Sequence, residues 1–190
     1  MGQDQIDVLL MVVTALEKPG IPYVIGGSYA SSLHGLARAS MEVDLLAAIK
    51  QEQVSGLTAE LRPEFYANDR AIKQAVQSGR LFNLVHIETA FKVDVFIARA
   101  GGFDEKQLER RRPVALASDP KRMAYVATPE DTILAKLNWY RRGNEVSDQQ
   151  WRDISGVIKV QSDKLDLEYL RHRARELNVS DLLEQALTES

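Results

Sequence analysis

The segment YVIGGSYASSLHGLARASMEVDLL, residues 23–46, joins a short apolar stretch to a glycine pair and then to two carboxylates. Residues 21–25 are typical of a strand, and the small residues after them have helical spacing, so Gly26 and Gly27 lie at a strand-to-helix turn. Glycine there lets the backbone approach a ligand. The backbone N–H groups of Ser28 and its neighbours at the start of the helix are then suited to bind an anion. The alternative is a tight turn that binds nothing.

The second half of this segment places two acids on one strand. Residues two apart in a strand point to the same face, so Glu42 and Asp44 project together while Val43 points to the other side. A buried unpaired charge is costly, so two of them at the head of an apolar strand indicate a function. Acid-apolar-acid patterns also arise by chance, and the pair alone does not decide between these readings.

A third isolated acid, Asp94, lies in the apolar stretch FKVDVFIA. If its strand lies beside that of Glu42 and Asp44, three carboxylates converge and repel one another unless a counter-charge lies among them. A divalent cation is the natural counter-charge, and oxygen ligands suit Mg²⁺ or Mn²⁺. With two ions, one lowers the pKa of an attacking hydroxyl and the other holds a leaving pyrophosphate. The alternative is an edge residue that faces water.

Composition limits the class of protein. The chain has 190 residues, 45% of them apolar and 27% charged, which is enough for one sizeable core with or without a helical appendage. Its apolar runs are shorter than the roughly 20 residues of a membrane span. There are no cysteines, and the formal charge is -3. We expect a cytoplasmic protein with no membrane partner, whose contacts with nucleic acid are local.

The order of elements predicts an α+β fold. Helical spacing over residues 4–17, 51–61 and 68–78 alternates with strand-like stretches, and two adjacent stretches near residues 81–97 predict an antiparallel pair. From Thr128 the pattern is helical only, with helices expected near 129–142, 147–160, 166–177 and 180–188. Thr128, Asp166 and Ser180 are the expected helix caps. We therefore predict a mixed core over residues 1–127 and a helical C-terminal domain over residues 128–190.

The glycine turn, the acid pair and the later acid together resemble the signature of the DNA polymerase β-like nucleotidyltransferase superfamily. Nearly the full chain is similar to small bacterial members grouped with the AbiEii and minimal-nucleotidyltransferase toxins, with HGLAR and WYRRGNEVSDQQWRDISGVIKVQ as further matching elements. The resemblance implies a short mixed or antiparallel sheet and two-metal transfer of a nucleoside monophosphate from an NTP to a hydroxyl. The implied acceptors are tRNA, a protein hydroxyl or a small molecule, and a cognate toxin or antitoxin partner is implied as well.

The resemblance also implies residue roles. Gly26, Gly27 and Ser28 match the triphosphate-binding turn, Glu42 and Asp44 match the metal-ligand pair, and Asp94 matches the acid that activates the acceptor hydroxyl. The superfamily usually has aspartate at the first acid, where this chain has Glu42. Glutamate is one methylene longer, so a second hypothesis is a nucleotide-binding or regulatory module without catalysis. A third is a helical interaction protein in which the acid pair is incidental.

Several further residues are candidates for the same site. Arg38 follows His34 by four positions and would share its helix face, where either side chain could reach phosphate, although a structural hydrogen bond suits His34 equally. Lys136, on the first C-terminal helix, matches a lysine that holds triphosphate in related enzymes, and the alternative is a surface lysine. Trp139, Tyr140 and Trp151 either stack a base or pack the helices together.

Overall fold

The computed structural model describes residues 3–37, 40, 42–118 and 121–190. The helices are α1 (Gln3–Glu17), α2 (Gly27–His34), α3 (Val54–Leu61), α4 (Asp69–Ser78), α5 (Gly102–Arg110), α6 (Pro129–Arg142), α7 (Asp148–Gln161), α8 (Leu167–Glu176) and α9 (Ser180–Glu189). The strands are β1 (Tyr23–Ile25), β2 (Glu42–Ala47), β3 (Phe65–Tyr66), β4 (Leu81–His86), β5 (Lys92–Ile97), β6 (Arg112–Ser118) and β7 (Lys121–Val126). Within these ranges, no helix has the length and apolar character needed to cross a membrane.

The strands form one mixed sheet of seven strands, in the order β3-β4-β5-β2-β1-β7-β6. The pairs β2/β5 and β1/β7 are parallel, and the other neighbours are antiparallel. The expected α+β class is confirmed, and so is the antiparallel pairing of the strands near residues 81–97. The sheet is wider than the short one that the sequence predicts.

Alternating residues give the centre of the sheet two different faces. On β2, Val43, Leu45 and Ala47 are fully buried, as are Val93 and Val95 on β5. These side chains belong to one apolar core together with residues of α1, α3 and α4. The intervening residues of both strands therefore lie on the opposite face, and this face carries the candidate site.

The C-terminal helices have an apolar core of their own. It is formed by residues of α6, α7, α8 and α9, including Ile133, Leu137, Ile154 and Leu183. The first core ends at Ala127 in sequence. The predicted domain boundary at residues 127 and 128 falls between the two cores and stays a prediction. Helix α2 packs against both α6 and α7, so the glycine turn at its start lies close to the helical region.

Two of the three predicted helix caps are present. The Thr128 hydroxyl accepts a hydrogen bond from the Asp131 N–H at 3.2 Å, and the Asp166 carboxylate accepts one from the Tyr169 N–H at 2.9 Å. The prediction for Ser180 is wrong, because Val179 occupies the cap position and makes no side-chain hydrogen bond there. Helix α5 and the hairpin of β6 and β7 have no counterpart among the predicted elements.

Candidate active site

The register between β2 and β5 brings four charged side chains together. Glu42 lies opposite Lys92, and Asp44 lies opposite Asp94, in a parallel pairing. All four alternate with the buried residues of their strands, so they lie on the same face. We refer to Glu42, Asp44, Lys92 and Asp94 as the charge cluster. The strands of the three predicted acids are thus neighbours, and Lys92, which is not among the predicted site residues, lies between them.

Lys92 binds two of the three acids. Its Nζ lies 2.8 Å from Oε2 of Glu42 and 3.0 Å from Oδ2 of Asp94. Hydrogen bonds to Glu42 first and to Asp94 second hold the pKa of Lys92 above its usual range. The pattern KVD of residues 92–94 repeats the spacing of EVD, and this was the available signal for Lys92 in the sequence. The ammonium group therefore supplies part of the counter-charge that the three carboxylates need.

Asp94 has a second partner on the other neighbouring strand. Asn83 of β4 lies opposite Asp94 in the antiparallel register, and its side-chain amide donates to Oδ1 of Asp94. Lys92 contacts the other carboxylate oxygen. The side chain of Asp94 is 13% exposed and is held from two sides in a fixed orientation.

Asp44 lies directly beneath the glycine turn. The N–H of Gly26 donates to the backbone oxygen of Asp44 at 2.9 Å. Gly27 has a φ of +55°, and a Cβ added to it would lie 1.8 Å from Oδ2 of Asp44. Any residue other than glycine at position 27 would therefore collide with the carboxylate and strain the backbone. The glycine turn and the acid pair form one structural unit.

The carboxylate of Asp44 is the least neutralised of the three. Within the described ranges it has no hydrogen bond and no ion pair. Burial, followed by repulsion from Asp94 and Glu42, raises its pKa to about 6, and Lys136 and Lys92 act in the opposite direction. A partly buried carboxylate that costs free energy when ionised is suited to bind a cation.

Ser28 connects the start of α2 to the start of β2. Its hydroxyl is buried and lies 2.8 Å from Oγ of Ser40 and 3.3 Å from the backbone oxygen of Glu42. These contacts fix the first turn of α2 against the strand of the acid pair. The backbone N–H groups of this turn then lie beside Asp44 at the positive end of the helix.

Lys136 is a buried residue of the site, so its interpretation as a surface lysine is wrong. Its Nζ lies 2.8 Å from Oδ2 of Asp153 and 3.1 Å from Oε1 of Gln150, both on α7. The side chains of Lys136 and Asp153 are each only 6% exposed. Lys136 lowers the pKa of Asp44, which places its charge near the acid pair. Sequence spacing does not predict the pairing of Asp153 with Lys136, because the two residues lie on different helices.

Part of this site lies in the wall of a pocket of about 730 Å³. The glycine turn, Glu42, Asp44 and Lys136 line one part of it, and further lining residues are Arg80, Arg99, Arg142, Phe96 and Trp139. The three arginines are exposed and have no ion pair within the described part of the chain. The pocket therefore combines a carboxylate region with an arginine region.

The three candidate aromatic residues separate into two groups. Trp139 lines the pocket, is 48% exposed, and has its ring centroid 5.5 Å from that of Phe96. Tyr140 and Trp151 contact each other at 5.2 Å and pack against the C-terminal core. Tyr140 and Trp151 thus pack the helices together, whereas Trp139 lies in the pocket wall with the guanidinium carbon of Arg142 5.7 Å from its ring centroid.

Helix α2 ends at His34, and the predicted pairing of His34 with Arg38 stays a prediction. Nε2 of His34 lies 2.7 Å from the backbone oxygen of Ala127, a structural hydrogen bond. Burial lowers the pKa of His34. Arg38 lies outside the described residues.

The residues present are suited to bind one divalent cation better than two. Among the described residues, no group of three or more histidine, cysteine, aspartate or glutamate side chains is arranged to hold a metal ion. Glu42 and Asp94 are bound to Lys92, whereas Asp44 faces the glycine turn without a partner of its own. Asp44 is therefore the residue that fits a cation best.

The fold has clear matches among solved structures. The antibiotic-resistance factor ANT(2'')-Ia in solution superimposes with a TM-score of 0.58 at 14% identity, over 100% of both chains. A crystal structure of ANT(2'')-Ia with adenylyl-2''-tobramycin gives a TM-score of 0.56 at 14% identity, over 92% of this chain and 98% of that one. The chain has a nucleotidyltransferase-like fold.

A third match supports the same assignment of the fold. An antigenic nucleotidyltransferase-like protein from Paracoccidioides brasiliensis gives a TM-score of 0.55 at 16% identity, over 99% of this chain and 94% of that one. No protein-family model and no curated protein matches the sequence. The narrower resemblance to the AbiEii and minimal-nucleotidyltransferase toxins stays a prediction.

Proposed function

We propose that the protein is a nucleotidyltransferase that depends on Mg²⁺ or Mn²⁺ and transfers a nucleoside monophosphate from an NTP to an acceptor hydroxyl. The observation that carries this proposal is the position of Asp44, which lies against the Gly26–Ser28 turn in the wall of the pocket and has Asp94 as its register partner on the neighbouring strand. A turn that offers N–H groups to phosphate, next to carboxylates that face the same space, suits this reaction.

Each group has a chemical role in the proposed reaction. The backbone N–H groups at the start of α2 and the charge of Lys136 bind the triphosphate. Asp44 holds the divalent ion, which supplies electrostatic stabilisation of the triphosphate. Asp94 accepts the proton of the acceptor hydroxyl as its oxygen attacks the α-phosphorus. One P–O bond forms to the acceptor, the bond to the β-phosphate breaks, and pyrophosphate leaves with the electron pair.

The arginine region of the pocket narrows the choice of acceptor. Arg80, Arg99 and Arg142 have no ion pair within the described ranges, so their charges favour an acceptor that carries anionic groups over one that carries several positive charges. We therefore propose an acceptor that is neutral or anionic, such as tRNA, a protein hydroxyl or an uncharged small molecule.

The wider setting follows from the resemblance and is part of the proposal. We propose that the protein acts in the cytoplasm, with residues 128–190 as a helical domain that completes the nucleotide pocket. A cognate toxin or antitoxin is the protein partner that the resemblance implies.

A second candidate function is a nucleotide-binding module without catalysis. The observation in its favour is the engagement of Glu42 by Lys92 at 2.8 Å, since the glutamate already differs from the usual aspartate. This module would bind NTP and transfer nothing.

Label transfer separates the two candidates. The purified protein is incubated with each labelled NTP, with Mg²⁺ or Mn²⁺, and with total tRNA or a cell lysate. An enzyme transfers label to an acceptor, and the variants Asp44→Ala and Asp94→Ala lose this activity by at least about 100-fold. Asp4→Ala, at an exposed position of α1, is the matched control and retains it. Nucleotide binding without transfer under every condition would support the module instead.

A further inference from the structure

The strand register fixes the backbone position of Lys92, whose side chain is 38% exposed, and the side chain of its partner Glu42 is 51% exposed. Lys92 lies directly opposite Glu42 in the β2/β5 register, and it lies two residues before Asp94 on the same face of β5. Its Nζ is within 3.0 Å of one oxygen of each of these acids. The sheet therefore holds an ammonium group between the first and third carboxylates of the cluster.

An ammonium group in this position competes with a metal ion for the same ligands. Lysine has three donors and no acceptor, so it cannot coordinate a cation. Mg²⁺ requires ligand oxygens at 2.0–2.1 Å with near-ideal octahedral geometry. The oxygens Oε2 of Glu42 and Oδ2 of Asp94 are already bound to Lys92, and the Asn83 amide binds the other oxygen of Asp94. Two positive charges at this position would repel each other.

Asp44 is in a different situation from the other two acids. Its carboxylate has no hydrogen bond or ion pair in the described part of the chain, and it lies against the backbone of Gly27. That backbone belongs to the turn that binds triphosphate in the proposed function. A single divalent ion that enters with the nucleotide would therefore find its protein ligand at Asp44.

We infer that Lys92 takes the place of one of two divalent ions, so that the site binds a single Mg²⁺ or Mn²⁺ at Asp44. This inference rests on the proposed function and deepens it. Lys92 supplies the second positive charge beside Asp94, on the side where the acceptor hydroxyl loses its proton. Lys92 is thus a positioning and charge-supplying residue, and no ion binds between Glu42 and Asp94.

Counting bound ions tests this inference without measuring activity. Protein-bound Mn²⁺ is measured by equilibrium dialysis and by the loss of the free Mn²⁺ signal in electron paramagnetic resonance. The measurements use Mn²⁺ alone and Mn²⁺ with each of the four α,β-methylene nucleoside triphosphates. The wild type is expected to bind one ion per chain with at least one of these nucleotides, and never more than one in any condition. Lys92→Met, which keeps most of the side-chain length without the charge, is expected to bind two.

Two further variants control for folding and for general charge effects. Lys92→Gln removes the same charge with a polar side chain and is used if Lys92→Met does not fold. Lys73→Met removes a lysine from a partly exposed pair with Asp69 on α4 and leaves the count at one. Two ions in the wild type, no ion in the wild type, or one ion in both Lys92 variants would each overturn the inference. The label-transfer assay tests the proposed function separately from the ion count. A wild type that binds two ions and still transfers label would overturn this inference and leave the proposed function intact.

Discussion

Asp44 and Asp94 face each other as register partners on the parallel strands β2 and β5. Their surroundings differ, because Lys92 and Asn83 bind the carboxylate of Asp94, while that of Asp44 has neither a hydrogen bond nor an ion pair in the described ranges. The two acids are therefore suited to different tasks. Asp94 is held in one orientation beside a positive charge, whereas Asp44 makes no direct ion pair within those ranges and its ionisation is opposed by burial and by the neighbouring acids, which a bound cation would relieve.

The raised pKa of Asp44 predicts a specific dependence of stability on pH. Its pKa is about 6 in the folded protein against 3.8 for an ordinary aspartate. The folded state therefore binds the proton more tightly, and this contribution to stability is present below pH 4 and lost as the pH rises to about 6. Asp44→Asn cannot ionise, so at pH 8 it should be more stable than the wild type by roughly 1–3 kcal/mol. Below pH 4 the difference should disappear.

Urea unfolding of both proteins from below pH 4 to pH 8, without divalent ions, measures this effect. Asp69→Asn is the control, because Asp69 is a partly exposed residue whose pKa is lowered by a hydrogen bond from Lys73. This variant should show no gain at pH 8. An Asp44→Asn difference that stays constant with pH would contradict the prediction.

Gly27 should not tolerate a side chain. In Gly27→Ala the new Cβ would lie 1.8 Å from Oδ2 of Asp44, at a φ of +55°. The collision and the backbone strain should lower the free energy of unfolding by about 1–3 kcal/mol and weaken NTP binding. In Gly26→Ala the added Cβ meets no atom within 4 Å, so this neighbour is the matched control for stability. Equal stability of the two variants in denaturant unfolding would show that the turn and Asp44 are not in close contact.

The features that the sequence predicts are either local in the chain or require only that two strands be neighbours in the sheet. Thr128 marks the start of α6 because its side chain, Pro129 and the acids after them form a cap within one turn. The isolated acid Asp94 and the pair Glu42 and Asp44 predict neighbouring strands, because three carboxylates can face one cation only if their strands are adjacent. Both predictions need no knowledge of how distant segments align.

The features that the sequence does not predict depend on alignment between segments. Lys92 contacts Glu42 only because β2 and β5 pair in one particular register, and a shift of one residue would put Lys92 on the other face. Lys136 is buried only because α7 places Asp153 beside it. A helical periodicity alone does not distinguish this lysine from one at the surface.

The buried pair of Lys136 and Asp153 should be sensitive to the loss of one partner. Both side chains are 6% exposed, so Lys136→Met leaves a buried carboxylate without its ammonium group. We expect a loss of about 3–5 kcal/mol in the free energy of unfolding. The double variant Lys136→Met/Asp153→Leu should recover much of this loss, since no lone charge remains.

The matched control is Lys73→Met, which breaks the partly exposed pair with Asp69 and should change stability by less than about 1 kcal/mol. Chemical denaturation of the wild type, Lys136→Met, Asp153→Leu and the double variant gives the coupling free energy between positions 136 and 153. A double variant that is as unstable as the sum of the two single variants would mean that the buried pair does not act as a unit.

Trp139 should report the binding of nucleotide by its fluorescence. The chain has two tryptophans, and only Trp139 lines the pocket, where it is 48% exposed. Trp151 packs against Tyr140, and its ring N–H donates to Glu189 at 2.9 Å. A base that stacks on Trp139 shields the indole from water, so emission should shift or be quenched as NTP and Mg²⁺ are added. Trp151→Phe should keep this response and Trp139→Phe should lose it, while both variants stay folded. A response that survives in Trp139→Phe would place the base elsewhere in the pocket.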